Sequence, residues 1–323
     1  MKKLAFILGA GSSIPYGYPS GPRLIEQILK TLNPNFIYKF FFKHKNQEDE
    51  ITLLPAQQVF SDYSIYTKYG FNENEIERFR IALLNSNKDS IDSFLNDRRE
   101  FMDIGKIAIA NCILKCEIPT EFHYAEENWL KYLWNNLEQN KGNYFTNRVV
   151  FLTFNYDRVV EHFFHTSLKY SFNLEDSKIA NIITNETILH LHGVVGFLPW
   201  QNGVNKFDYD YNGQNFESHY NKVIEASKSI KIIYENLSDQ IFDKASECIR
   251  EADEVYTIGF GFHYINLQRL KLRPLSKKII CSAYGLTKNE CENIEHIYPA
   301  ILTLDRNNNN SLSFLRNYLN LRE

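Results

Sequence analysis

The chain has 323 residues, 44% of them hydrophobic and 15% aromatic, which supplies a large core and excludes a globally disordered protein. Its 36 lysines and arginines against 39 aspartates and glutamates give a net charge of −3, which argues against a dedicated nucleic-acid surface. Five cysteines without paired spacing predict a reducing, cytoplasmic setting, and the apolar run that breaks at Gly9 is too short for a signal-peptide core or a membrane span.

Residues 4–8, Leu-Ala-Phe-Ile-Leu, read as a short buried strand and run directly into Gly9-Ala10-Gly11-Ser12-Ser13. Two glycines spaced one apart let the backbone turn sharply and approach a ligand, with hydroxyls beside it. A strand that feeds such a turn into a helix, here 23–31, presents backbone N–H groups to a pyrophosphate; the plainer reading is a tight strand-to-helix turn. The hydride-transfer fingerprint is excluded, because position 14 is Ile14 rather than glycine and no acidic residue ends a second strand.

Between about residues 30 and 141 the strand signal fades. Segments 91–102, 103–115 and 124–140 read as helices, the last with Trp129, Leu130, Leu133, Trp134 and Leu137 on one face. This stretch is expected to be a helical insertion packed over the sheet.

A second apolar strand, 148–154, ends in Thr153-Phe154-Asn155-Tyr156-Asp157 and leads into a helix at 158–168. Ligands bind at that strand edge in open α/β sheets. Asp157 also suits a helix N-cap, whereas a buried-strand amide such as Asn155 needs partners: a water or a ligand hydroxyl. The third strand, 188–191, carries Leu189-His190-Leu191-His192-Gly193. Two histidines on one strand side suggest a metal, but no further Cys or His at ligand spacing supports one, so no metal is expected. His190 reads as a core residue. His192, with an ordinary pKa of ~6.5, is the candidate general base.

Residues 200–220, rich in Asn, Gly and Tyr, read as a loop or small lid. A helix at 238–251 feeds a strand at 254–260, which contains Thr257-Ile258-Gly259-Phe260-Gly261-Phe262, with Asn266 just beyond. That turn is either a second phosphate-binding loop or a tight crossover. A helix at 264–272, strands at 277–282 and 300–304, and a solvated turn at 307–310 before a terminal helix complete the chain. Strand–helix alternation predicts an α/β fold with a Rossmann-like, doubly wound, mostly parallel sheet. The expected organisation is one domain, 1–323: a core from 1–30, 145–199 and 237–323, an insertion at 31–144, and a lid or loop at 200–236.

Together these motifs resemble the sirtuin superfamily, and more closely the bacterial SIR2-like proteins of anti-phage defence. The sirtuin pattern G-A-G-x-S-x-x-x-G-x-P is matched by Gly9, Ala10, Gly11, Ser13, Gly17 and Pro19. The T-x-N-x-D element is matched by Thr153, Asn155 and Asp157, and the His-Gly element by His192 and Gly193. The chain departs from the deacylases in three ways. Ser20-Gly21-Pro22 follows Pro19, with Arg23 one place late; Gly259-Phe260-Gly261 stands where they carry Gly-Thr-Ser; and Cys112, Cys116, Cys248, Cys281 and Cys291 cannot form their zinc ribbon.

The resemblance therefore implies a sirtuin-like sheet without zinc ribbon or metal, and an NAD+ hydrolase that releases nicotinamide and ADP-ribose or its cyclic form. It implies NAD+ binding by Gly9, Ala10, Gly11, Ser12, Ser13, Gly17, Pro19, Thr153, Asp157, Gly259, Phe260 and Gly261, with Asp157 holding the nicotinamide carboxamide. Asn155 would orient ribose and water, and His192 would be the base. It further implies an abortive-infection effector, homo-oligomeric or switched on by a separate ATPase, argonaute-like or phage-sensing protein, with no membrane or direct nucleic-acid contact. Two other functions remain open: an NAD-dependent deacylase or ADP-ribosyltransferase, and a non-catalytic nucleotide-binding sensor.

Overall fold

The computed structural model describes residues 2–34, 44–45, 51–52, 62–138, 148–210, 216–232, 239–272, 277–298 and 301–320. Six strands form one sheet: β1 (Leu4–Leu8), β2 (Val149–Thr153), β3 (Ile188–His190), β4 (Glu254–Ile258), β5 (Ile279–Cys281) and β6 (Leu302–Leu304). All pair in parallel, in the order β3-β2-β1-β4-β5-β6. This α/β architecture is compatible with a Rossmann-like fold, whose strand order reverses between its first and fourth strands. Each strand falls within an apolar run recognised from sequence, trimmed at its ends.

Alternation along β1 distributes its side chains to two cores. Leu4, Phe6 and Leu8 face one apolar cluster, and Ala5 and Ile7 face the other. On the first face Phe151, Phe6 and Tyr256 stack across three strands, with ring centroids 5.4 and 5.5 Å apart. Burial on both sides is why β1 reads as a continuous apolar run rather than an alternating one.

Helices cover both faces. In chain order they are α1 (Gly21–Thr31), α2 (Tyr63–Tyr69), α3 (Glu73–Asn85), α4 (Ile91–Asp97), α5 (Met102–Leu114), α6 (Glu121–Tyr124), α7 (Trp129–Glu138) and α8 (Val159–Phe172). After these come α9 (Asp176–Ile182), α10 (Phe216–Ser229), α11 (Asp239–Glu251), α12 (Tyr264–Arg269), α13 (Lys288–Ile297) and α14 (Ser311–Tyr318). The first cluster takes Ile28 of α1, Leu130 of α7, Phe164 of α8 and Phe314 of α14, together with nearly all of α5. The second takes Phe242 and Ile249 of α11, Leu267 of α12 and Cys291 of α13.

The insertion is helical from α2 to α7, of which the sequence periodicity marked only the segments of α4, α5 and α7, and it also contains a two-residue antiparallel pairing of 44–45 with 51–52. The remainder of 35–61, and residues 139–147, lie outside the described residues. The 200–236 stretch differs from the expected loop, because Phe216–Ser229 forms α10 and packs on α5. The Val223 and Ala226 side chains are buried, and this apolar spacing of three is helical rather than loop-like. Residues 211–215 and 233–238 of the expected lid and helix start lie outside the described residues. Among the described residues no helix is long and apolar enough to cross a membrane.

Candidate active site

Register builds the site. Leu8 pairs with Thr153 and with Ile258, and Thr153 pairs with His190, so four strand ends lie side by side. The residues that follow them, Gly9, Phe154, Gly259 and Leu191, therefore emerge along one edge at the reversal between β1 and β4. A cleft of about 530 Å³ opens there. It is lined by Gly9, Ala10, Gly11, Ser13 and Pro19 of the first loop, by Asn155, Asp157 and His192, and by Gly259, Phe260 and Gly261. Ser12, Gly17 and Thr153 of the sequence-predicted set stand behind this lining.

Those three have supporting contacts. The Ser12 hydroxyl donates to the Gly9 carbonyl at 2.8 Å, and Gly17 closes a single helical turn, Ile14–Tyr16, at a φ of 88°. Thr153 Oγ1 accepts the Asn155 N–H at 3.0 Å. The first loop itself is gripped from several sides. Gly11 N–H donates to the Gly259 carbonyl at 3.1 Å, and Trp129 Nε1 of the insertion donates to the Ser12 carbonyl at 2.8 Å. Tyr16 reaches the start of α7, where its hydroxyl donates to Asn128 Oδ1 at 3.1 Å and accepts the Leu130 N–H at 3.0 Å.

The buried amide of Asn155 finds its partners within the protein. Its Nδ2 lies 3.0 Å from the Gly9 carbonyl, 3.1 Å from Ser13 Oγ and 3.2 Å from Ser12 Oγ. The Ser13 hydroxyl in turn bonds the Asp157 carboxylate, so Asn155, Ser13 and Asp157 form one polar chain. Asp157 Oδ1 also accepts the Val159 N–H at 3.1 Å, which satisfies a donor in the first turn of α8. The N-cap position itself is Arg158. Burial pushes the Asp157 carboxyl up to about 6, against the lowering pull of Ser13 and the Val159 amide. Near neutral pH it is a poised carboxylate rather than an inert cap.

His192 corrects an expectation. Burial pushes its imidazole down to about 3, reinforced by the charge of Arg269 and opposed by the neighbouring Asn266 side chain. Phe154 packs edge-on against it at 5.1 Å. The ring is thus neutral throughout the physiological range, and the Asn266 side chain accepts its hydrogen bond. The turn that carries it is fixed from behind. Lys231 N–H donates to the His192 carbonyl at 2.9 Å, and a Cβ on Gly193, whose φ is +77°, would meet the Ser229 carbonyl oxygen at 2.1 Å.

His190 points away from the cleft and has the opposite electrostatics. Its Nδ1 is 3.0 Å from the Asn155 carbonyl and its Nε2 is 2.6 Å from Glu161 Oε1. Both partners are acceptors, so both ring nitrogens carry protons. Burial pulls its pKa down, but the Glu161 carboxylate and the Asn155 carbonyl outweigh that and hold it above the ordinary histidine value. This buried imidazolium braces the backbone that carries Asn155.

Sequence reasoning missed three contributions. The insertion supplies part of the cleft wall through Asp89, Ser90 and Asp92 at the start of α4; Tyr156 donates to Asp92 Oδ1 at 2.5 Å. The available signal was the Ser90 cap, whose side chain accepts the Ser93 N–H. Second, Arg158, fully buried beside Asp157, engages Glu117 through Nε at 2.8 Å and Nη2 at 2.5 Å. Its remaining donors reach the carbonyls of Phe197, Phe207 and Asp208, at 3.1, 2.8 and 3.2 Å. One guanidinium thus ties the insertion and the 197–208 loop to the strand edge, which makes that loop a strap. Third, Asn266, noted from sequence only as lying just beyond the Gly259–Phe262 turn and given no role, lines the cleft beside His192.

The five cysteines lie apart along the chain, and burial raises the thiols of Cys116 and Cys281 to about 12. Among the described residues no group of three or more His, Cys, Asp or Glu is arranged to hold a metal ion. Neither a protein-family model nor a curated protein matches this sequence.

Proposed function

We propose that this chain hydrolyses NAD+ at the nicotinamide–ribose bond. The observation that carries this reading is the convergence on one strand-edge cleft of the first glycine loop, Asn155 and the buried, neutral imidazole of His192. A phosphate-binding turn at the reversal of a parallel sheet suits a dinucleotide, and its volume of about 530 Å³ falls within the range of ligand pockets.

In this reading the pyrophosphate lies against the loop 9–13, whose Gly9, Gly11, Ser12 and Ser13 N–H groups already donate within the protein, so the backbone donors are the N–H groups of Ala10 and Gly261. Asp157 accepts the nicotinamide carboxamide N–H, and Asn155 holds the loop and ribose in mutual register. The bond from ribose C1′ to the pyridinium nitrogen breaks with its electron pair leaving on nicotinamide. A water oxygen then bonds to C1′ and gives its proton to neutral His192, acting as the general base. Developing positive charge on the ribose favours the carboxylate form of Asp157. The biological role in this reading is abortive infection: the chain destroys NAD+ when assembly into oligomers or a separate sensing partner activates it.

The test is to incubate the purified protein with NAD+, with and without infected-cell lysate, and to follow nicotinamide and ADP-ribose by chromatography. Asn155→Ala and His192→Ala should abolish product while keeping a folded far-UV spectrum. Full turnover in either variant would sink the assignment. The depressed basicity of His192 favours one rival, a nucleotide sensor without catalysis, which predicts tight NAD+ binding and no product under either condition.

A further inference from the structure

The strand-edge cleft carries an uneven charge. Asp89, Asp92 and Asp157 line it, and among the described residues of its lining there is no lysine or arginine. The three carboxyls step inward from the mouth: Asp89 is exposed, Asp92 half-buried and Asp157 buried. Tyr156 fixes Asp92 by donating to its Oδ1 at 2.5 Å, and the Val159 N–H fixes Asp157 at 3.1 Å.

The facing wall has the other sign. His263 lines the cleft as the N-cap of α12, and Arg269 at the end of that helix lies near enough for its charge to act on the His192 imidazole. Helices α4 and α8 pack into the first apolar cluster and α12 into the second, so the acids and the basic side chains stand over opposite faces of the sheet. A nucleotide that is anionic throughout, such as ATP, would set its phosphates against three carboxylates with no lysine or arginine in the lining to offset them. A dinucleotide with a fixed positive charge at one end and phosphates beyond it matches both walls. The oxidised nicotinamide ring carries that charge, whereas the reduced ring is neutral.

We infer that Asp89 and Asp92 are specificity-determining residues that hold the pyridinium ring by its charge, and so select the oxidised dinucleotide over neutral-ring and wholly anionic nucleotides. This rests on the reading that the cleft takes NAD+. The helical insertion then supplies substrate selection, while the loops at the strand ends supply the chemistry. Cleavage moves the positive charge off the ring, so nicotinamide leaves neutral and without that hold.

The experiment is calorimetric titration of wild type, Asp89→Asn and Asp92→Asn with NAD+ and with its isostere in which carbon replaces the pyridinium nitrogen. The two ligands share shape and hydrogen-bonding groups and differ in the ring charge. Wild type should prefer NAD+ by about tenfold, and the preference should shrink as salt is raised. Each substitution should weaken NAD+ about threefold to tenfold and leave the isostere within about twofold of wild type. Asp92→Asn keeps an acceptor for Tyr156, and the exposed Asp89→Asn guards against an Asp92 variant that fails to fold. Equal binding of the two ligands by wild type would overturn the inference, as would variants that keep full affinity for NAD+ or lose both ligands in parallel; in each case the NAD+ reading stands. If wild type binds neither ligand, the reading of the cleft falls, and the charge selection with it.

Discussion

Gly259 lies so close beneath Gly11 that a Cβ built on Gly259 would come 2.4 Å from the Gly11 Cα and 2.1 Å from the Ser12 nitrogen. The two glycine turns are packed backbone against backbone at the reversal of the sheet. Gly259 also has a φ of +59°, where a side chain is strained. Gly259→Ala should therefore cost at least about 3 kcal/mol, from left-handed strain plus a clash between two backbones that cannot withdraw. Gly261 has nothing within 4 Å of its Cβ position, and Gly261→Ala should stay within about 1 kcal/mol of wild type. Urea denaturation of the two variants would check the contrast; equal midpoints would refute this account of the turn.

Asp157 makes stability depend on pH. Its carboxyl is raised from 3.8 to about 6 in the folded chain, chiefly by burial. A raised pKa means that the folded state binds the proton more tightly. The favourable contribution is complete below pH 4 and is lost as pH rises through 6. At pH 8 the buried charge costs up to about 3 kcal/mol, taking about 1.4 kcal/mol per pKa unit. Asp157→Asn, which can still accept the Val159 N–H, should be more stable than wild type at pH 8 and lose that advantage by pH 4. Thermal melts across this range would show it, and an advantage independent of pH would contradict the burial argument.

The His190–Glu161 pair predicts the same slope by a different route. His190 is held above its ordinary value near 6.5, so its stabilising protonation is complete below that value and fades as pH rises through the raised pKa. Glu161→Gln leaves a buried imidazolium without its counter-charge and should cost about 3–5 kcal/mol at pH 6. The deficit should shrink in alkaline buffer. Proton titration of the His190 ring by NMR should also give a lower pKa in the variant; an unchanged value would mean that Glu161 does not hold the charge.

Arg158 donates from all of its guanidinium positions to Glu117 and to three carbonyls of the strap. Arg158→Met should cost about 3–5 kcal/mol, because Glu117 is left buried and unpaired and the carbonyls lose their donors. Hydrogen exchange at 197–208 should accelerate more than exchange in β1. Uniform acceleration would show that the strap has no separate attachment.

Much of the framework was legible before any coordinates. Buried parallel strands must be short continuous apolar runs with turns at their ends, so all six announce themselves, and 3.6-residue periodicity marks α4, α5 and α7 of the insertion but not α2, α3 or α6. Gly9, Asn155 and His192 stood out because a polar or glycine residue directly after a buried strand is a local signal. His190, on the same pattern, was assigned to the core, and the ion pair with Glu161 that makes it more than filler spans two elements. His192 was expected near its ordinary pKa because nothing local reveals that Phe154 and Arg269 surround it.

The sequence by itself determined the alternation of strands and helices, the parallel sheet and the candidate residues at strand ends, because these follow from spacing along the chain. Only the tertiary structure decided the strand order that presses Gly259 onto Gly11 and the α4 wall of the cleft. The buried arginine that fastens the strap and the pairing of Asn266 with His192 likewise emerged only there. Those are contacts between residues tens to hundreds of positions apart, and burial and field at a site are set by such contacts rather than by neighbours in sequence.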